Sequence, residues 1–325
     1  MGTARGASVE LATVIVNFRA TALVADCLRS LAPDQLGPVV VVDNASGDDS
    51  IAQLRALIDQ EHWSAWCHVL PMEVNAGYAA GNNAGIRHML QTIGRPDYIL
   101  LLNPDTIVRP GAVRALVEFI QTNPRVGIVG SRLEDPNGTP QRSAFRFPSV
   151  LGELERGLRL GAATQLLNRQ MVAPPVRDVA HTTDWVAGAS MMIRSKVIDE
   201  IGLMDEGYFL YFEEVDYCRK ARRVGWQCWY VPASRVIHLV GQCTGVTNLN
   251  GQPRRVPDYW FASRRRYYRK NHSALYAWLA DVAWASGYAF WRMRRRLQRK
   301  PDCDPPGLLS DFLRYEFGCK RRAIL

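Results

Sequence analysis

A fold of the α/β class, with a mixed but mostly parallel sheet flanked by helices, is predicted by three observations. Apolar, β-branched runs at residues 11–16, 39–42 and 99–102 each stop at a polar turn: Asn17, Asp43 and Asn103-Pro104-Asp105. Short apolar runs bounded by turn signals read as buried strands. Between the first two, residues 20–31 place Leu23, Cys27 and Leu31 at four-residue spacing, the mark of a helix with one buried face. Strand, helix, strand and then the acidic turn Asp43-Asn44-Ala45-Ser46-Gly47-Asp48 make the opening of a nucleotide-binding α/β unit.

The other elements follow in order. Residues 69–90 offer a short strand, a glycine-rich turn and a helix. Glycines 77, 81 and 85 recur every fourth residue, which does not match the G-x-G-x-x-G dinucleotide loop and argues against an oxidoreductase. That spacing instead lets a helix lie close on a sheet, with Asn75 and Gly77 at the turn free to line a nucleotide crevice. After residues 99–102, Pro104 ends the ladder because it has no N–H to donate. A helix is expected from about Pro110 to Gln121, since proline suits a first turn. Residues 126–129 read as another strand and residues 131–149 as an irregular loop. Residues 150–180 show no pattern. Apolar residues 191–193, a helix beginning near Glu213, and Val236-Ile237-His238 complete the body.

Composition bounds the function. A chain of 325 residues that is 47% hydrophobic and 22% charged is globular, with room for a large core. Its excess of 40 Lys+Arg over 31 Asp+Glu is unevenly spread: residues 254–325 hold 17 cations and 6 acids, the first 253 residues 23 and 25. A near-neutral body with a basic tail predicts that the tail meets an anionic surface while the body does the chemistry. Seven cysteines with no CxxC pair argue against a zinc ribbon or a disulfide framework and for a reducing compartment. The apolar run near the N-terminus is too short for a secretory signal.

Several side chains in these segments can carry chemistry. Asp105 and Asp43 are carboxylates at the exits of buried strands, the edge where open α/β sheets bind ligands. A carboxylate there can hold a divalent cation on a diphosphate, or accept from a nucleobase or ribose; the alternative for each is a helix cap or Asx turn. Glu213, Glu214 and Asp216 crowd one helix start, so repulsion raises a proton affinity toward what a general base needs. Compensation of the helix dipole is the plainer explanation, but one acid would supply it. Trp185, at the mouth of a strand, can pack on a sugar ring or simply fill a core. His238 is a metal-ligand candidate only through its company.

Together the stretches IVNFRA, VVVDNASGDDS, VNAGYAAGNNAGI, LLLNPDTIV, DWVAGASMMIRS, GLMDEGYFLYFEEVDYCRKARRVGW and VPASRVIHLVG, in this order over residues 11–245, resemble family 2 of the inverting glycosyltransferases. Within that family they look most like the rhamnosyltransferase branch. The resemblance implies a GT-A fold, Rossmann-like, over residues 1–253, with a nucleotide-sugar half at about 1–130 and an acceptor half at about 131–253. It implies that Phe18 stacks on the nucleobase and that Asp43 accepts from base or ribose, with Asn75 and Asn103 also at the nucleotide sugar. Asp105 would bind the Mg²⁺ or Mn²⁺ that bridges the donor diphosphate, with His238 a second ligand. Trp185 would line the acceptor site and Glu214 would be the catalytic base. Two departures stand out: Asn103 replaces the first acid of the family's Asp-x-Asp motif, and Glu214 replaces the more usual aspartate, leaving Glu213 and Asp216 as nearby substitutes.

The donor implied is dTDP-L-rhamnose and the acceptor a polyprenyl-diphosphate-linked saccharide, in cell-surface polysaccharide synthesis. A hexosyltransferase using another nucleotide sugar and an inactive sugar-nucleotide-binding scaffold are the alternatives. Residues 254–325 are expected to form a basic, amphipathic helical region. Aromatics alternate with arginine clusters from 259 to 300, and the apolar stretch 275–291 carries Asp281 and is short for a span. A helical hairpin lying in an anionic membrane interface is the reading. It places the enzyme at the cytoplasmic face of an inner membrane. Nucleic acid is not an expected partner, because no recognition motif accompanies the charge; a homodimer is left open.

Overall fold

The structure, a computed structural model, describes residues 10–239 and 253–318. The first nine residues, Cys243 and Cys319 lie outside them. The described residues form two compact units: residues 10–145, Pro175–Phe209 and 213–239 make one, and Arg146–Pro174, Leu210–Phe212 and 253–318 the other. A single boundary at residue 253 was the sequence expectation; the units instead interleave along the chain.

The first unit runs β1 (Leu11–Asn17), α1 (Thr21–Leu31), β2 (Val39–Asp43), α2 (Ser50–Gln60), β3 (Cys67–Pro71), α3 (Tyr78–Thr92), β4 (Tyr98–Leu102), β5 (Thr106–Val108), α4 (Ala112–Thr122), β6 (Val126–Glu134) and β7 (Ala144–Phe145). After α5 (Val150–Leu158) and α6 (Gly161–Leu166) of the second unit it resumes with β8 (His181–Thr183), β9 (Trp185–Val186), β10 (Ser190–Arg194), α7 (Ser195–Ile201), α8 (Glu213–Arg223) and β11 (Gln227–His238). The main sheet has the order β3-β2-β1-β4-β10-β6-β11-β5, with β8 beside β11. Strands β3, β2, β1 and β4 are parallel; β10 then enters antiparallel between β4 and β6.

Every residue of β1, β2 and β4 is buried, as expected of parallel strands covered on both faces. The glycine spacing in α3 does what the sequence suggested. A Cβ on Gly81 would lie 2.8 Å from Val16, and one on Gly85 2.6 Å from Val14, so the helix rests directly on β1. Two expectations shift. α4 starts after Pro110 because Gly111 takes φ 76°, outside the helical region. β6 does not end at 129 but runs to Glu134, into the stretch read as loop. Partners from other segments meet its polar residues there: the Ser131 hydroxyl lies 2.7 Å from those of Ser190 and Ser234, buried Glu134 pairs with Arg109 and Arg235, and Arg132 with Asp178.

The second unit adds α9 (Asp258–Asn271), α10 (Ala274–Leu297) and α11 (Leu308–Phe317) to α5 and α6. α5 and α10 cross at glycines; a Cβ on Gly157 would come within 2.7 Å of the Trp284 carbonyl. Phe261, Trp284, Tyr288, Leu308 and Phe312 form its core. The expected interfacial hairpin is therefore corrected for α9, whose Phe261, Tyr267 and Tyr268 are buried, along with Arg264. No described helix is long and apolar enough to cross a membrane.

Candidate active site

The register pairs Asn17 with Asp43 and Ile15 with Leu102, so β1, β2 and β4 release their loops at one edge of the sheet. Asn17 is fully buried there. Its Nδ2–H donates to Asp43 Oδ2 at 2.7 Å, and its Oδ1 accepts from the Ala20 N–H at 3.1 Å, just ahead of α1. Asp43 also accepts from the Ser46 hydroxyl at 2.6 Å and the Ser46 N–H at 3.0 Å. Three of roughly four lone-pair positions on this carboxylate are thus used within the loop. Beside it Phe18 is 39% exposed, with the Arg19 guanidinium 5.2 Å from its ring. Arg19 and Ala45 both hold positive φ, 54° and 55°. Such strain, about 1–3 kcal/mol per residue, clusters at ligand sites.

The next loop is tied to the first. Asn44 donates to Asn75 Oδ1 at 3.0 Å and to the Gly77 carbonyl at 3.1 Å, while Asn75 Oδ1 also accepts from the Gly77 N–H. Gly77 has φ 90°, and a Cβ there would lie 2.1 Å from the Phe209 carbonyl oxygen, so no other residue fits. Tyr78 then donates its hydroxyl to the Gly188 carbonyl at 2.8 Å.

After β4, the Asn103 N–H bonds the Ala189 carbonyl at 3.0 Å and the Thr106 hydroxyl bonds the Asn103 carbonyl at 2.7 Å, which closes the loop around Asp105. Asp105 is buried and its Oδ1 has no hydrogen-bond partner. His238 Nε2 lies 3.5 Å from that atom, because antiparallel pairing sets His238 opposite Thr106. Among the described residues no three His, Cys, Asp or Glu side chains converge. An orphaned buried carboxylate oxygen beside one imidazole still fits a divalent cation that takes its other oxygens from a diphosphate and water, the usual arrangement for Mg²⁺.

α8 supplies the remaining acids. Glu213 is buried and Glu214 partly so, and Oε2 of each is enclosed without a hydrogen-bond partner. Burial pushes the Glu214 carboxyl up to about 7, against the pull of the Glu214 and Val215 amides. Glu213 is held well above the carboxylate range by burial and then by the charge of Glu214. The Tyr78 hydroxyl is raised first by burial, then by Glu213, and also by Glu214 and Asp105. Tyr78 thus lies within electrostatic reach of the carboxylates of β4's loop and of α8. The two residues before Glu213, Tyr211 and Phe212, have φ 70° and 69°, again the left-handed region.

The model of glycosyltransferase-like family 2 matches residues 9–270. The chain belongs to that family. It is 28% identical to the N-acetylglucosaminyl-diphospho-decaprenol L-rhamnosyltransferase of Mycobacterium tuberculosis over 82% of this chain and 83% of that one. It is also 28% identical to the low-salt glycan biosynthesis hexosyltransferase Agl10 of Haloferax volcanii, over 75% and 68%. Among solved structures, GalNAc-T7 with UDP, GalNAc and Mn²⁺ superposes with a TM-score of 0.56 at 16% identity, covering 95% of this chain and 55% of that one. S. aureus TarS 1-349 gives 0.51 at 13%, covering 94% and 80%. These likenesses show the GT-A fold, and the protein is a glycosyltransferase.

The structure brings Asp105 and His238 together beyond β4, with Asn103 shaping the Asp105 loop, and sets Glu213 and Glu214 side by side at the start of α8. Phe18, Asp43 and Asn75 stand on the neighbouring loops, which Gly77 joins to Tyr78. Trp185 faces Phe145, ring centroids 4.2 Å apart and nearly parallel, on the β7–β9 pair. Sequence reasoning missed Asn17, Ser46 and Tyr78. Asn17 had one signal, a polar residue closing a β-branched run.

Proposed function

We propose that this glycosyltransferase moves L-rhamnose from dTDP-L-rhamnose to a polyprenyl-diphosphate-linked saccharide, with inversion, in cell-surface polysaccharide synthesis. It would work at the cytoplasmic face of a membrane. The observation that carries the reading is the pair of adjacent acids Glu213 and Glu214 at the start of α8, Oε2 of each enclosed without a hydrogen-bond partner. The similarity to the mycobacterial L-rhamnosyltransferase favours the sugar and the lipid diphosphate.

Glu214 takes the proton from an acceptor hydroxyl. That oxygen forms the new bond to the anomeric carbon as the bond to the dTDP oxygen breaks on the opposite face. A base held near 7 is about half ionised at neutral pH and still strong enough to accept the proton. Phe18 offers its exposed face to the base, Asp43 its remaining lone pair to the nucleoside, and Trp185 an aromatic face to the acceptor sugar. Asp105 and His238 would hold a Mg²⁺ or Mn²⁺ ion, which when bound neutralises charge developing on the leaving diphosphate.

The test is turnover with dTDP-rhamnose, UDP-hexoses and GDP-mannose on a synthetic polyprenyl-diphosphate N-acetylglucosamine, with and without Mn²⁺, the product's anomeric configuration being read by NMR. Transfer from dTDP-rhamnose alone, with inversion, is expected. Transfer only from a hexose donor would replace the reading by that of a hexosyltransferase, the activity named for the Haloferax relative. No turnover with any donor would favour a binding scaffold.

A further inference from the structure

α10 has two unlike faces. Ala277, Ala280, Trp284, Gly287 and Tyr288 are buried, the glycine against Gly157 of α5 and the Trp284 ring on Phe312 of α11. On the other side, at steps of mostly three or four residues, stand Leu275, Leu279, Val282, Phe290, Met293 and Leu297, all exposed, Leu275 at 65% and Leu297 at 77%. Side chains at that spacing share one face of a helix. Over the helix's 24 residues the stripe extends about 35 Å, at about 1.5 Å per residue. Trp278 borders it, 51% exposed. Toward the C-terminal end the stripe opens into a groove of about 840 Å³ shared with Leu309 and Leu313 of α11, which Arg292 and Arg296 also line.

An apolar face of this length, interrupted by exposed Ser286 between Val282 and Phe290, marks an interaction site, and charge selects the occupant. The one acid of α10, Asp281, is spent on buried Arg264, so the exposed face holds no carboxylate. Residues 292–300, RMRRRLQRK, hold six cations and no acid, and Arg296, Arg299 and Lys300 are exposed. A second copy laid stripe to stripe would bring no carboxylate from its own α10 to those arginines. An anionic bilayer offers hydrocarbon to the stripe and phosphates to the cations together.

We propose that this face of α10, continued by the α10–α11 groove, lies in the headgroup region of an anionic phospholipid bilayer, helix axis along the membrane plane, with Leu275 to Leu297 dipping toward the acyl chains and the arginine-rich end on lipid phosphates. This deepens the membrane-side reading above and rests on it for its purpose. The binding itself is measured without donor or acceptor, so loss of the rhamnosyltransferase reading would leave the result standing.

The experiment uses the full chain and vesicles of phosphatidylglycerol mixed with phosphatidylcholine, against phosphatidylcholine alone. Co-sedimentation with the anionic vesicles, weakened by salt, is expected. Brominated acyl chains should quench a part of the tryptophan emission that Trp278→Phe removes. The double variant Leu279→Glu/Met293→Glu, whose positions are exposed, should keep its melting temperature and lose roughly tenfold or more in vesicle affinity. Wild-type affinity in that variant would overturn the proposal. So would binding that requires a polyprenyl diphosphate in the vesicle, or a dimer in analytical ultracentrifugation that the variant splits while vesicle binding is unchanged.

Discussion

The two units each take carboxylates out of water, and they treat them in opposite ways. In the sheet unit Glu213 and Glu214 sit side by side with Oε2 of each enclosed and unpartnered. In the helical unit Glu153 is as deeply buried, yet it meets Arg156 at 2.7 Å and Arg264 at 3.2 Å. Arg264 also reaches Asp281 and lies 3.8 Å from Glu316, which takes Arg265 at 2.9 Å. Burial pushes both sites toward the protonated form. At Glu214 burial prevails and the carboxyl rises to about 7; at Glu153 the two guanidinium groups outweigh burial and the carboxyl falls below its ordinary range. One site holds a proton that can be exchanged near neutral pH, which is useful to catalysis; the other is locked as an ion cluster that holds helices together.

The sharpest way to break this contrast is Glu214→Gln. If Glu214 is the base, turnover falls by about 10² to 10⁴-fold, while dTDP still raises the melting temperature as in wild type. Turnover within a few-fold of wild type would pass the role to Glu213. The matching substitution in the helical unit is Arg264→Met, which leaves Glu153 and Asp281 to the more exposed Arg156 and Arg265. Removing one member of a buried ion cluster costs about 3–5 kcal/mol, to be read from urea denaturation. A loss below about 1 kcal/mol would mean that the cluster can reorganise around Arg156 and Arg265.

How legible these sites were in the sequence follows from how far each partner lies along the chain. β1, β2 and β4 were readable because burial on both faces demands unbroken apolar runs, and a carboxylate at the end of such a run is visible locally, as with Asp43 and Asp105. The extension of β6 through Arg132 and Glu134 was not readable, since Glu134 is neutralised by Arg109 and Arg235 and Arg132 by Asp178, all distant along the chain. Residues 150–180 showed no pattern in part because α5 turns glycine and Glu153 inward, and Glu153 is neutralised there by Arg156 and by Arg264, 111 residues on. Tyr78 likewise owes its place to Gly188, 110 residues away. Glu213 and Glu214 were conspicuous as neighbours, but only the fold shows that both are enclosed without a counter-ion.

The smallest predicted effect separates the two sites by pH alone. Glu214 binds its proton more tightly in the folded protein, about 7 against an ordinary 4.5. Its burial is therefore free of penalty below about 4.5, and it destabilises progressively as pH rises through about 7. Glu153 has the opposite sign: its lowered carboxyl stabilises the fold above the ordinary carboxylate range, and that contribution fades as pH falls. Glu214→Gln should thus melt with wild type at pH 5 and above it at pH 8, by on the order of a few degrees. Glu153→Gln should melt below wild type at pH 8, with the deficit narrowing toward pH 4. Wild-type turnover should meanwhile fall about tenfold per unit below pH 7, because only the ionised base can accept the acceptor's proton. Parallel melting curves for the two variants across this range would mean that Glu214 is paired in solution, and the contrast between the units would collapse.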